Sequence, residues 1–247
     1  MKRYLRAFGM CHGMFCAIPI PYHGWDEEAR PLMLLFLPLL GLEIGLLWAL
    51  AGWLCRVLEY PTLITGLVLC LIPYLLSGCI HLDGFMDVTD AVGSYRPLEK
   101  RREILKDSHV GAFAVIGCAM LMVASFAFCA SGEGGVGILI LVPMVSRCCS
   151  SLAVTALRPM STSQYAGSFK ESVSRSHVIT LAVMLLAAVS LGFVLFGRQG
   201  FVLAAQLAAY GLALRKGFKS LDGMNGDISG YALTLSELAA MAAWSLL

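Results

Sequence analysis

Hydrophobic positions along the chain cluster into runs of about 20 residues, the length an α-helix needs to cross roughly 30 Å of hydrocarbon. Seven such runs lie near 31–54, 61–80, 110–131, 135–157, 178–197, 199–214 and 229–247. The sixth is short and the seventh ends the sequence, so the pattern predicts an all-α, polytopic integral membrane helical bundle of about seven transmembrane helices, with six as the alternative. Residues 1–30 have a basic start and an apolar stretch that His12 interrupts and Pro19 and Pro21 end, without a small-x-small cleavage pattern. They are expected to form a retained amphipathic segment at the membrane surface.

Polar positions set the orientation, because cytoplasmic loops beside membrane spans are rich in Lys and Arg. Segments 1–30, 81–109, 158–177 and 215–228 hold four, five, three and three of them, whereas the opposite loops hold only Arg56 and Arg198. The N-terminus and these segments are therefore expected on the cytoplasmic side, around one transmembrane domain spanning 1–247. Loops 81–109, 158–177 and 215–228 would form its active-site face.

Composition agrees with the pattern: 58% of residues are hydrophobic and 14% charged, against about a quarter charged in soluble domains. A net charge of +2, without a basic stripe, gives no sign of nucleic acid binding. The nine cysteines include no CxxC pair and are expected as buried thiols, Cys148 and Cys149 among them. Glu43 and Arg147 fall inside apolar runs, where they could pair with each other or sit near helix ends.

Six of the seven aspartates lie in two cytoplasmic stretches, 81–109 and 215–228. Asp83, Asp87 and Asp90, in HLDGFMDVTD, follow directly on the second apolar run. Their i, i+4, i+7 spacing puts three carboxylates within an arc of about 60° on one helix face, over about 10 Å of axis. No Lys or Arg occurs between Arg56 and Arg96, so local basic partners are absent and the like charges repel. A divalent metal site, a solvated acidic face and a proton or ion pathway are the three readings of such a row. For a metal, hard carboxylate oxygens select Mg²⁺, with Mn²⁺ as the alternative, and Mg²⁺ completes its shell with water and substrate phosphate. Gly84 would let a substrate approach the backbone, and His81 would donate to a phosphate or simply end a helix.

Two further stretches extend the candidate site. RPLEKRREILKDSHVGAF, from Arg96, groups Lys100, Arg101, Arg102 and Lys106 ahead of Asp107 and Ser108. It reads as a phosphate clamp or as an amphipathic surface helix. SLDGMNGDISG, 220–230, offers a glycine-rich anion nest with Asn225 and Gly226, and Asp227 as a further ligand, or else an interhelix turn. Neither matches a P-loop.

Together these motifs resemble the cobalamin synthase family. IPIP at 18–21, HLDGFMDVTDAV at 81–92, LKDSHVGAF at 105–113 and NGDISG at 225–230 follow the family's order. Ala17 stands where that family has arginine, Ala91 where it has glycine, Met86 where it has a small residue, and Asp222 and Asn225 where Gly and Thr are usual.

The resemblance implies transfer of α-ribazole, or its 5′-phosphate, onto adenosylcobinamide-GDP, giving adenosylcobalamin or its phosphate and GMP, in late cobalamin biosynthesis. It implies Mg²⁺ held by Asp83, Asp87, Asp90 and Asp227, with Asp90 or Asp107 orienting the attacking hydroxyl. Lys106 and Arg102, with His81, Gly84, Ser108, Asn225 and Gly226, would bind substrate. The alternatives are another Mg²⁺-dependent membrane diphosphate transferase, of CDP-alcohol phosphotransferase or prenyltransferase type, or an ion-coupled transporter. Oligomeric state is left open.

Overall fold

The structure, a computed structural model, describes residues 2–22, 24–161 and 174–247, and all regular structure among them is helical. Residues 162–173, within the expected loop 158–177, lie outside the described residues. Ten α-helices are described: α1 (Lys2–Phe15), α2 (Met33–Val57), α3 (Thr62–Leu76), α4 (Ile80–Gly93), α5 (Leu98–Ile104), α6 (Ala112–Ser131), α7 (Val142–Ala156), α8 (Arg175–Phe196), α9 (Gly200–Leu221) and α10 (Gly226–Ser245).

Each of the seven expected runs is helical over most of its length. Among the described residues, four helical stretches are long and apolar enough to cross a membrane: 30–57, 112–131, 136–156 and 175–221. The last contains both α8 and α9. Counting the bent pair α3–α4 as one span makes five. The outward faces suit lipid: Leu46, Leu50, Val123, Val183, Leu186 and Val194 are all exposed, an apolar surface larger than a water-facing protein leaves open.

The second run departs from expectation in a way that places the site. It does not continue to residue 80 as one helix. Ser77 donates its hydroxyl back to the carbonyls of Pro73 and Tyr74, and Gly78 and Cys79 both adopt left-handed backbone, φ +61° and +60°. Two successive left-handed residues cannot continue a right-handed helix. The chain turns by 90° into α4. At 14 residues, α4 is about 21 Å long, too short to cross a bilayer alone. The acids therefore stand on a separate helix crosswise to α3.

Helix α10 lies at the centre, packed on α4, α6, α7 and α9. It touches α4 backbone to backbone: a Cβ on Gly84 would lie 2.9 Å from the Asp227 Cα, and one on Gly230 would lie 3.0 Å from the His81 carbonyl oxygen. Small residues at a helix crossing allow this approach, as at membrane helix interfaces generally. Gly41 and Gly45 do the same for α2 against the segment entering α7. The Thr234 hydroxyl donates to the His81 carbonyl, and the Phe85 and Tyr231 rings stack 5.9 Å apart, locking the α4–α10 crossing.

The intramembrane charges pair differently from either sequence expectation. Arg147 on α7 donates to Glu237 on α10 at 2.9 Å, with both side chains sealed from solvent. Glu43 instead meets His12 of α1 at 3.3 Å. All nine cysteines are free thiols; Cys148 and Cys149 are buried as expected, whereas Cys16 and Cys118 are half-buried and Cys79 is exposed.

Candidate active site

Helix α4 presents Asp83, Asp87 and Asp90, and the first turn of α10 brings Asp227 against it across Gly84. Asn225 begins α10: its side-chain oxygen accepts the Ile228 N–H at 2.9 Å, satisfying one of the helix's open donors. Its amide nitrogen donates to the Asp227 carboxylate at 2.6 Å, fixing that side chain. The NGD sequence is thus both a helix start and a carboxylate holder.

Beside these acids opens a cavity of about 360 Å³, within the range of small-molecule sites. Asp83, Asp227, Asn225, Gly226, His81 and Lys106 supply its polar wall. Met14 and Phe15 of α1, Leu34 and Leu37 of α2, and Val154 of α7 supply apolar wall. Ser150 and Ser229, hydrogen-bonded to each other, also line it.

The acids repel one another. Burial pushes the Asp87 carboxyl up to about 6, and the charges of Asp83, Asp227 and Asp90 add to the effect. Asp227 is also raised, chiefly by burial and further by Asp83, although the Asn225 amide opposes the shift. Among the described residues none of Asp83, Asp87, Asp90 and Asp227 has an ion-pair partner. Carboxylates crowded without a cation, beside a cavity, have the hard oxygen donor set that a divalent ion neutralises.

The remaining candidates separate. Asp90 turns toward the start of α6, where its carboxylate accepts the Ala114 N–H at 3.4 Å. The space for it exists because residue 111 is glycine: a Cβ there would lie 2.1 Å from the carboxylate. Asp107 is exposed and accepts from the His109 backbone and ring at 3.0 and 2.6 Å, and these contacts hold its carboxyl below the usual range. Ser108 is exposed, and neither residue lines the cavity.

Arg102 faces away from the acids. It donates to the carbonyls of Leu221 and Asp222 and to the Asp222 carboxylate, tying α5 to the end of α9. Asp222 also meets Arg158, and the two arginines depress its carboxyl pKa. Its left-handed φ of +54° is the helix-ending conformation that favours glycine.

His81 is buried and stacks on Phe15 with centroids 6.0 Å apart. Burial, followed by the Arg147 charge, holds it well below the usual imidazole value. It is therefore a neutral ring, and its Nε2 has no hydrogen-bond partner. Gly84 admits the α10 backbone.

Sequence reasoning missed the cavity's apolar wall. Met14, Phe15, Leu34, Leu37 and Val154 come from three helices distant in sequence, and nothing in their local pattern distinguishes cavity wall from core.

A family model described as Cobalamin-5-phosphate synthase matches residues 7–245. The chain is 35% identical over 246 residues to the adenosylcobinamide-GDP ribazoletransferase of Clostridium perfringens (strain SM101 / Type A), covering 98% of both chains. It is 31% identical to the protein of that name from Clostridium botulinum (strain Alaska E43 / Type E3), covering 98% of this chain and 97% of the relative. To that from Lachnoclostridium phytofermentans the identity is 29% over 241 residues, 96% and 92% of the two chains. No solved structure matches significantly.

Proposed function

The chain belongs to the Cobalamin-5-phosphate synthase family, and from that premise we propose that it is an adenosylcobinamide-GDP ribazoletransferase of cobalamin biosynthesis. It joins adenosylcobinamide-GDP with α-ribazole or its 5′-phosphate to give adenosylcobalamin or its 5′-phosphate, and GMP. The observation that carries this reading at the site is the set of carboxylates without cation partners, Asp83 and Asp227 lining the cavity and Asp87 raised beside them.

The reaction is a substitution at phosphorus. A ribose hydroxyl of α-ribazole attacks the phosphorus attached to the cobinamide arm, the bond from that phosphorus to the GMP oxygen breaks, and the hydroxyl proton passes to a base. Such transfers depend on positioning and on neutralising spread negative charge. Asp83, Asp87 and Asp227 are the residues placed to hold Mg²⁺, which would neutralise the diphosphate and the leaving phosphate. Lys106, on the same wall, adds a positive charge for the diphosphate. Neutral His81 offers a donor without adding charge.

Asp90 serves this arrangement by fixing the start of α6 beside α4. Asp107, engaged by His109, lies apart from the cavity. At about 360 Å³ the cavity is sized for a diphosphate and a neighbouring group and is small for a corrin ring, which in this reading stays at the mouth. The Lys and Arg bias of the loops supports a cytoplasmic position for this face.

GMP release by purified protein supplied with adenosylcobinamide-GDP and α-ribazole 5′-phosphate, with Mg²⁺ or EDTA, tests the proposal. Turnover should require Mg²⁺ and fall at least about a hundredfold in Asp83→Asn and Asp87→Asn, a barrier increase of about 2.7 kcal/mol. Full activity in EDTA would remove the metal role, and no GMP release from folded protein would remove the reaction.

A further inference from the structure

On the far flank of α4 from the acidic cavity is a second concavity, of about 510 Å³. Its charged lining is wholly basic: Arg96 from the turn after α4, Arg101 from α5 and Lys216 from the last turns of α9. Thr89, Ser220 and Tyr231 contribute hydroxyls, and Tyr95, 92% exposed, stands at its rim.

Two neighbouring arginines on α5 show why this pocket differs from a solvated basic surface. Residues 101 and 102 point about 100° apart around the helix. Arg102 is satisfied by two carbonyls and the Asp222 carboxylate. Arg101 has no ion-pair partner among the described residues, and its Nε is buried without a hydrogen-bond acceptor. The Thr89 hydroxyl is also buried and unpartnered. Arg96 and Lys216 form no ion pairs among the described residues either. A buried donor left without an acceptor is costly. An anion with several acceptor oxygens would satisfy the guanidinium, the ammonium and the hydroxyl together.

We propose that Arg96, Arg101 and Lys216, with Thr89 and Ser220, form a binding site for a phosphate-bearing group, separate from the acidic cavity. The ligand chemistry is a phosphate ester or diphosphate, carried by a free nucleotide-like molecule or by an anionic lipid headgroup. The two α4 flanks thus have opposite electrostatic requirements: one needs a cation, the other an anion.

The test uses the full chain in nanodiscs of neutral phosphatidylcholine, in EDTA so that divalent metal cannot recruit phosphate to the aspartates. Binding of inorganic pyrophosphate is measured by calorimetry for wild type, Arg101→Gln and Lys216→Gln, with Lys100→Gln as control because Lys100 is exposed and paired with Glu103. A parallel arm adds phosphatidylglycerol to the discs and measures lipid retained after detergent extraction by native mass spectrometry.

Pyrophosphate binding weakened at least fivefold in both variants, and unchanged in the control, supports the site and a free phosphate source. Phosphatidylglycerol retained by wild type and lost by Arg101→Gln or Lys216→Gln supports the site with a headgroup source. Absence of both kinds of binding, or binding equal in wild type and both variants, overturns the proposal. Lys216 is exposed, so Lys216→Gln remains informative if Arg101→Gln does not fold.

Discussion

Charge enters this apolar bundle in two ways, and the contrast separates structure from chemistry. Between α7 and α10, Arg147 and Glu237 are sealed from solvent, 2.9 Å apart, and the Ser146 hydroxyl donates to the same Glu237 oxygen at 2.7 Å. Between α4 and the start of α10, Asp83, Asp87 and Asp227 repel one another, and Asp83 and Asp227 border a cavity. Both clusters use α10, and both are costly in a low-dielectric interior. The first is neutralised within the chain and locks two helices together. The second has no cationic partner among the described residues, which is the property the proposed metal site requires.

Breaking the sealed pair should give the largest loss of stability. Arg147→Met leaves Glu237 buried and uncompensated, at a cost of about 3–5 kcal/mol, measured as a lowered thermal midpoint in detergent. The double variant Arg147→Met/Glu237→Leu should recover most of it, because a buried pair replaced by apolar groups is often neutral. If the double variant were no more stable than the single, the pair would be more than a self-contained lock.

A methyl group at the α4–α10 crossing comes next. Gly84→Ala puts a Cβ 2.9 Å from the Asp227 Cα and 3.0 Å from its carbonyl oxygen. Overpacking of this kind costs about 1–3 kcal/mol, and it displaces a proposed metal ligand, so GMP release should fall more than stability does. Gly211→Ala, where a Cβ meets nothing within 4 Å, should leave both intact. Equal behaviour of the two variants would show that the close approach does not set the site.

The smallest effect is a pH dependence confined to the open cluster. Asp87 rises from the ordinary carboxylate value of 3.8 to about 6 in the folded chain. Between those values the folded state therefore holds the proton more firmly than the unfolded state, so stability falls as pH rises through this window. In EDTA the thermal midpoint should drop between pH 4 and pH 6.5, modestly because Asp87 is partly solvent-screened. Mg²⁺ or Asp87→Asn should flatten that drop. A midpoint indifferent to pH in EDTA would place Asp87 outside the repelling cluster.

Much of this was legible in the sequence, because a bilayer makes strong demands on composition. Backbone groups in hydrocarbon must bond internally, so long apolar runs imply helices wherever they pack. The i, i+4, i+7 row of Asp83, Asp87 and Asp90 is likewise a local consequence of helix geometry. The stretch with Asn225, Gly226 and Asp227 read as an interhelix turn or a ligand site, and in the structure Asn225 starts α10 and its amide holds the Asp227 carboxylate.

Tertiary structure decided how these local pieces are used. The left-handed pair Gly78–Cys79 turned α4 off the second apolar run, a conformation that composition does not specify for Cys79. Asp90, indistinguishable from Asp87 by pattern, went to the start of α6 because Gly111 left room for it. Arg102 was taken by Asp222 while adjacent Arg101 has no ion-pair partner among the described residues, and Arg147 found Glu237 instead of Glu43. The sequence by itself determined an all-helical membrane chain with an acidic helix face and a carboxylate at a later helix start. Which charges met, and which remained open to a ligand, depended on contacts between residues as many as 153 positions apart. The physical reason is that helix periodicity fixes the face on which a side chain lies, whereas its electrostatic partner is fixed by the crossing of other helices.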